Sequence, residues 1–264
     1  MDDHIGGISL SHVIQFQTRI MFGSQYRRIE HAKHKKNPQN ELLIACLRMG
    51  WNDAFRHVSK NLASVENEIQ RYNATKYKLE DEFQVKRNKI THKTGKWTYD
   101  DYYCAILNHS DILDAFTEYA SLRTTEDRCD LIKASMKKLS TVFGQVKEQI
   151  HFGHIQKLFN MAVKLYLCLY MCRSYLELND ELFIHKIVTA LGYADAPIDS
   201  IILDRLEQKH MKQKGIGSKH ELLYPNFTWS QIDSDETIAT YQEIQNDFRS
   251  DGKSSLYFDF TEWN

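Results

Sequence analysis

The sequence has few of the residues that interrupt regular structure, with 3 prolines and 11 glycines among 264 residues. It also lacks low-complexity stretches and repeats of fixed period, which argues against a repeat protein, and disorder is not expected away from the ends. The composition is 42% hydrophobic and 26% charged. This is ordinary for a globular chain and sufficient for one large domain or two small ones.

No apolar run is long enough to span a membrane. The most apolar run covers residues 158–172 and contains Asn160 and Lys164, so it predicts a buried helix instead. The N-terminus, MDDHIGGISL, has no basic flank and no continuous apolar core, so no signal peptide is expected. These features predict a cytoplasmic protein without a membrane partner.

Several signatures of metal, redox and nucleotide chemistry are missing. There is no C-x-x-C, H-E-x-x-H, G-x-S-x-G, G-x-G-x-x-G or Walker loop, and strands do not alternate with helices. A nucleotide-binding α/β fold, a serine hydrolase and a zinc site are therefore not expected, and we predict no cofactor and no metal. The odd number of cysteines, 5, is typical of packed thiols in a reducing compartment.

Apolar residues recur at helical spacing through most of the chain, which predicts an all-α fold. Asn40, Asp180 and Gly192 are the expected helix boundary residues. The alternating stretch SSLYFDFTEW (254–263) predicts a short strand or an extended arm. The chain forms either one helical domain over 1–264 or two subdomains joined by a basic connector at 86–99. The predicted helices cover 37–58, 62–90, 99–122, 127–144, 153–176, 180–192, 199–213 and 235–250.

Charge is distributed unevenly along the chain. Residues 231–264 hold eight acidic and two basic side chains, so residues 1–230 hold 32 basic and 27 acidic ones. Three basic stretches stand out, at 25–36, 85–97 and 209–220, and an aromatic stretch follows at 221–230. Such stretches are compatible with nucleic-acid binding, in which lysine and arginine bind phosphates and aromatic rings stack on bases. Solvated surface charge and core aromatics are the more common origin of any one such stretch, although three basic stretches in one chain favour binding slightly.

Lys157 and Asp199 are the strongest candidates for chemistry. Lys157 lies at the start of the most apolar helix, where an amine loses hydration, which favours its neutral, nucleophilic form. Asp199 precedes the helical stretch SIILDRL as its expected N-cap, where free N–H groups stabilise a carboxylate anion. A carboxylate beside a lysine suits cleavage of an N-glycosidic bond. In the alternative interpretation neither residue has a chemical role: Asp199 is only a helix cap, and Lys157 extends its ammonium from the apolar helix to solvent.

The segments GHIQKLFNMAVKLYLCLY and APIDSIILDRL resemble the helix-hairpin-helix DNA glycosylase superfamily, and its archaeal 8-oxoguanine branch in particular. The resemblance covers residues 140–206. It implies two helical subdomains flanking a cleft, with Asp199 as the catalytic aspartate and Lys157 as the lysine nucleophile. Lys164 matches a second lysine two turns further along, whose role is open.

The resemblance implies an enzyme that flips a base out of double-stranded DNA and excises it. The substrate would be an oxidised purine of a repair pathway or a modified base of phage DNA removed in antiviral defence, with or without strand cleavage at the abasic site. Trp51, Phe227 and Trp229 are the predicted base pocket. The predicted DNA contacts are Lys86, Arg87, Lys89, Lys93, Lys96, Lys147, Lys212 and Lys214.

The alternative is a helical module without enzymatic activity that binds nucleic acid or a protein in phage–host conflict, in which Asp199 is only a cap. A helical nuclease is a third hypothesis. It requires an exposed cluster of histidines or carboxylates that the sequence does not assemble.

Overall fold

Helices dominate the computed structural model, which confirms the all-α prediction. It describes residues 9–55, 83–86, 89–92, 107, 111–140, 150–214, 224, 227–249 and 253–262. Within these ranges the α-helices are, in order, α1 (Leu10–Phe22), α2 (Tyr26–Glu30), α3 (Pro38–Ala54), α4 (Asp111–Tyr119), α5 (Thr125–Ser140), α6 (Phe152–Met171), α7 (His185–Val188), α8 (Ser200–Lys214), α9 (Asp235–Phe248) and α10 (Ser255–Glu262). The strands are β1 (Phe83–Lys86) and β2 (Lys89–His92).

Helix α6 is the centre of the fold. Most of its residues are buried, among them Leu158, Phe159 and Tyr166 at 0% exposure, as expected of a helix that is apolar on every side. Its main partner is α3. The two backbones come so close at Gly50 that a Cβ there would lie 2.6 Å from the carbonyl oxygen of Leu158. The predicted buried helix over 158–172 is thus confirmed.

In the part of the chain that the structure describes, no helix combines the length and the apolarity needed to cross a bilayer. The four cysteines in that part are free thiols. Burial raises the pKa of Cys168 to about 11 and that of Cys129 to about 12, so both remain protonated at neutral pH.

Local sequence sets the helix starts. The Ser234 hydroxyl accepts the N–H of Thr237 at 3.2 Å, and Asp235 and Glu236 fill the first turn of α9, where carboxylates interact favourably with the helix dipole. Helix α3 begins at Pro38, because proline fits the first helical position. The predicted cap at Asn40 is therefore wrong by one turn.

The stretch 62–90, predicted to be helical, contains strand structure near its end. Strands β1 and β2 pair antiparallel, with Phe83 opposite His92 and Lys86 opposite Lys89. Val85 pairs with Ile90, and β-branched side chains favour a pleated surface over a helix. The hairpin also occupies the beginning of the predicted connector at 86–99.

The C-terminal stretch is a helix and not the predicted strand or arm. Leu256, Phe258 and Asp259 of α10 are buried, whereas Tyr257 and Phe260 are exposed. Burial at both 258 and 259 excludes strand alternation and fits a helical face. Helix α10 packs on α9, with the rings of Phe248 and Phe258 stacked 4.6 Å apart.

The single helix predicted over 180–192 is also wrong. The chain forms two 3₁₀ turns, Asp180–Leu182 and Leu191–Tyr193, on either side of the short α7. Ile184, between the first turn and α7, is extended, and its N–H donates to the Tyr166 hydroxyl at 2.8 Å. A tertiary hydrogen bond thus replaces the helical one, and Leu182 and Ile187 are still buried in the core.

Candidate functional site

Asp199 is the N-terminal cap of α8, as predicted. Its Oδ1 accepts the N–H of Ile202 at 3.0 Å, and its carbonyl oxygen accepts the N–H of Leu203 at 3.1 Å. The capping bond fixes the orientation of the carboxylate. The second oxygen, Oδ2, lies 3.9 Å from Nζ of Lys157. Asp199 is thus a cap through one oxygen and faces the lysine through the other.

The extended segment before Asp199 is tied to the core by buried amides. The carbonyl oxygen of Ala196 accepts Nδ2 of Asn160 at 3.1 Å and Nε2 of Gln245 at 2.8 Å. The N–H of Ala196 donates to Oε1 of Gln245 at 2.9 Å. Asn160 and Gln245 are both 0% exposed. Because Asn160 lies on the same helix as Lys157, this network fixes Asp199 relative to the lysine.

Lys157 is the sixth residue of α6, about a turn and a half from its start. Its Nζ lies 3.1 Å from Oδ2 of Asp53 and 4.3 Å from the ring centroid of Trp229. Together with Asp199, these groups form a small polar cluster at the edge of the core. Helix α3 and the stretch before α9 add a second carboxylate and an indole to the predicted pair of Lys157 and Asp199.

Asp53 is a site residue that the sequence analysis missed. It lies in the last turn of α3, where the helix dipole disfavours negative charge. A residue that violates a local preference indicates a partner elsewhere in the fold, and here that partner is the Lys157 ammonium. The unfavourable position of the Asp53 carboxylate at the end of a helix was the one feature of the sequence that could have indicated its role.

Two of the predicted pocket aromatics lie in one row beside Lys157. The Trp51 ring is 4.9 Å from that of Phe55, which stacks 5.8 Å from His154. The His154 ring meets Trp229 edge-on at 5.8 Å. Trp51 and Trp229 are both half-buried. Phe227 is also half-buried and packs on the core.

Gly153 makes room for Trp229. A Cβ on Gly153 would lie 1.8 Å from the Trp229 carbonyl oxygen, a distance that no side chain permits. The N–H of Gly153 donates to the Ile232 carbonyl at 3.1 Å. The loop before α9 therefore lies directly on the start of α6, and the indole reaches the lysine.

His154 is neutral in this cluster. Burial, with smaller contributions from His151 and Lys157, lowers the pKa of His154 to about 4 from its ordinary value of 6.5. Its Nδ1 accepts the N–H of His151 at 3.2 Å, so the remaining proton lies on Nε2. The ring therefore contributes an uncharged aromatic surface next to Trp229.

None of the eight predicted DNA contacts has its side chain among those that the structure describes. Lys86 and Lys89 face each other in the register of β1 and β2, and Lys212 and Lys214 lie in the last turn of α8. For these four only the backbone is described. Arg87, Lys93, Lys96 and Lys147 lie outside the described residues.

Lys164 lies outside the polar cluster around Lys157. Its Nζ lies 2.5 Å from Oδ2 of Asp259 on α10 and 5.2 Å from the Phe260 ring centroid. The Asp259 side chain is fully buried. The role left open by the resemblance is thus that of an ion pair between α6 and α10.

An arginine–histidine spacing in the sequence bears on the helical nuclease hypothesis. Arg87 and His92, and likewise Arg205 and His210, stand five positions apart, the R-x-x-x-x-H spacing of helical ribonucleases of the HEPN type. Arg205 is half-buried on α8. Arg87 and the side chains of His92 and His210 lie outside the described part, so this spacing is tested through RNA cleavage below.

Comparisons with protein-family models, with curated proteins and with solved structures gave no match. The function is therefore inferred from the chemistry of the Lys157 cluster. An oriented carboxylate beside an ammonium, next to aromatic surface, can stabilise a developing positive charge on a sugar and accept a proton from a nucleophile.

Proposed function

We propose that the protein is a DNA glycosylase that excises a damaged or modified base from double-stranded DNA. The observation that carries the proposal is the 3.9 Å separation between Asp199 Oδ2 and Lys157 Nζ. The resemblance of residues 140–206 implies that these two residues act together. They come from different helices and meet at the edge of the core.

The carboxylate of Asp199 is suited to the bond-breaking step. Loss of a base from C1′ builds positive charge on the sugar, and a fixed anion lowers the energy of that charge without reorganising. The hydrogen bond from Ile202 N–H holds the carboxylate rigidly, and its side chain is 21% exposed. Asp199 is therefore both oriented and accessible.

The aromatic row supports the second requirement, an aromatic surface for the flipped base, through its half-buried end residues Trp51 and Trp229. Trp51 and Trp229 stand at its two ends, with Phe55 and His154 between them. A base leaving the duplex loses its stacking, and aromatic faces restore part of it. An oxidised purine or a modified phage base would present the π-face that such a row accepts.

The test is an excision assay with paired variants. Purified protein is incubated with a duplex containing 8-oxoguanine, with ordinary bacterial DNA and with DNA of phages that carry modified bases. Abasic sites are counted with and without hot alkali. The variants are Asp199→Asn and, as a control, Asp204→Asn, which makes the same change at an exposed position of the same helix.

The proposal expects wild type and Asp204→Asn to make abasic sites on at least one DNA and Asp199→Asn to make about 100-fold fewer or none. Equal activity of Asp199→Asn and wild type would remove Asp199 from the mechanism. A labelled single-stranded RNA is included, and its cleavage without any abasic sites would favour the helical nuclease.

One observation favours the second candidate, a helical binding module. Helix α1 carries four apolar side chains that are each at least 41% exposed: Leu10, Val13, Phe16 and Ile20. Exposed apolar surface of this kind is common where proteins bind one another. This candidate predicts no abasic sites on any DNA, with Asp199→Asn folding and binding like wild type.

A further inference from the structure

Three groups around Lys157 interact favourably with a positive charge. Asp53 Oδ2 lies 3.1 Å from Nζ, Asp199 Oδ2 lies 3.9 Å away, and the Trp229 ring centroid lies 4.3 Å away. Carboxylates and the face of an indole attract an ammonium ion and gain little from a neutral amine. A nucleophilic lysine must be neutral when it attacks, so attack by Lys157 would sacrifice all three interactions.

The exposed fractions of the three charged side chains also argue against Lys157 as a nucleophile. The Lys157 side chain is 7% exposed, whereas Asp53 is 30% and Asp199 is 21% exposed. A nucleophile must reach C1′ of a sugar that enters from solvent. The two carboxylates are therefore more accessible to that sugar than the amine, which lies over the face of the Trp229 ring.

The two carboxylates also differ in their distance from the ammonium. At 3.1 Å, Asp53 is within hydrogen-bonding range of Nζ, whereas Asp199 at 3.9 Å is outside it. Asp53 therefore holds the ammonium in place. The 3.9 Å separation between Asp199 Oδ2 and Lys157 Nζ suits a bridging water. Asp199 is therefore the carboxylate positioned to orient a water molecule.

We propose that Lys157 is a fixed cation that positions Asp199, and that water displaces the base, so that the reaction ends at an abasic site without strand cleavage. This inference rests on the proposed function and specifies its chemistry. Lys157 is then a positioning residue, Asp53 anchors it, and Asp199 is the catalytic residue.

The step balances as a hydrolysis. The bond between C1′ and the base nitrogen breaks, and its electron pair leaves with the base. A water oxygen forms the new bond to C1′ and passes a proton to Asp199 Oδ2. The departing base takes up one proton from the Asp199 carboxyl, or it takes one from solvent while the carboxyl returns its own proton to solvent. Either route regenerates the carboxylate. The products are the free base and a sugar with a hydroxyl at C1′.

The test compares Lys157→Arg with Lys157→Gln. Arginine keeps the positive charge but forms no Schiff base with C1′, and glutamine removes the charge. We expect Lys157→Arg to keep excision within about 10-fold of wild type, and Lys157→Gln to lose about 100-fold or more, the loss typical of a catalytic group that is no longer held in position. Loss of excision in both variants to the same extent would overturn the inference.

A second readout does not depend on which base is excised. Wild type is mixed with a duplex that carries a preformed abasic site, and borohydride is added to reduce any imine. We expect no covalent complex and no strand cleavage above the level of the buffer. A covalent complex that disappears in Lys157→Arg would identify Lys157 as the nucleophile.

A third readout separates this inference from the proposed function. Thermal midpoints are measured for Lys157→Gln, Asp53→Asn and the double variant. A paired ammonium predicts that the double variant lowers the midpoint by less than the two single shifts combined. Additive shifts would contradict the fixed cation even if excision is found. Absence of abasic sites on every DNA, with the coupling present, would instead reject the glycosylase and hence the hydrolysis.

Discussion

Lys157 and Asp199 stand 42 positions apart in the chain, yet Nζ of one lies 3.9 Å from Oδ2 of the other. The other oxygen of Asp199 caps α8 through the N–H of Ile202. A helix cap and a candidate catalytic carboxylate are therefore the same side chain. The capping bond holds one oxygen of the carboxylate and the Lys157 ammonium attracts the other, so both contribute to the fixed orientation that stabilisation of a transition state requires.

The two roles of Asp199 can be separated by substitution. Serine is also a favoured N-cap, so Asp199→Ser should keep the free energy of unfolding within about 0.5 kcal/mol of wild type and still abolish excision. Asp199→Ala should lose the cap as well, at a cost of about 1 kcal/mol. Urea unfolding beside the abasic-site assay measures both. A serine variant that excises at the wild-type rate would show that the carboxylate has no chemical role.

Gly153 should tolerate no side chain. In Gly153→Ala the new Cβ meets the Trp229 carbonyl oxygen at 1.8 Å, so the loop before α9 must move away from α6. We expect a loss of roughly 1–3 kcal/mol in unfolding free energy and a changed Trp fluorescence spectrum. Gly192→Ala is the control, because nothing lies within 4 Å of its Cβ. Equal stability of the two variants would contradict this packing.

The sequence predicted those features that depend on neighbouring residues. The helical periodicity of 153–176 and 199–213 and the cap at Asp199 are local patterns. The structure contains all three, although α6 ends at Met171, before the end of the first predicted helix. The stretch 254–263 was misjudged because its apolar residues alternate. Tertiary packing on Phe248 selects the helix there, and no local pattern contains that information.

Within the site, the sequence identified the residues that carry a motif and missed those that are only neighbours in space. Lys157 and Asp199 stood out through their positions on apolar helices. Asp53 joins them because α3 packs on α6, a pairing that no spacing along the chain reveals, whereas His154 lies on α6 itself, three residues before Lys157. Gly153 was visible only as a glycine, and its role depends on the path of a loop about 76 residues later.

Acid should destabilise the protein through His154. Its pKa is about 4 in the folded protein against the ordinary 6.5, so between these values the unfolded chain binds a proton that the folded protein does not. Stability therefore falls as the pH drops from 6.5 towards 4, by at most about 3 kcal/mol from this group. His154→Phe should flatten that slope in urea titrations. The exposed His185→Phe should leave it unchanged, and the opposite pattern would assign the acid sensitivity elsewhere.

Asn160 should be essential for stability. It is fully buried, accepts the Tyr119 hydroxyl at 2.7 Å and donates to the Tyr241 hydroxyl and the Ala196 carbonyl at 3.0 and 3.1 Å. Asn160→Leu leaves these groups without that partner and should cost roughly 2–4 kcal/mol. Tyr241→Phe removes one contact and should cost about 1 kcal/mol. A leucine variant as stable as wild type would mean that the network does not hold the segment before Asp199.

The most direct test of the central claim is the count of abasic sites made by wild type and by Asp199→Ser on the same modified DNA, at matched stability. The account predicts abasic sites from wild type and about 100-fold fewer from the serine variant, because the cap remains and only the carboxylate is lost. Equal counts from the two proteins, or none from wild type on any DNA, would contradict it and leave Asp199 as a helix cap alone.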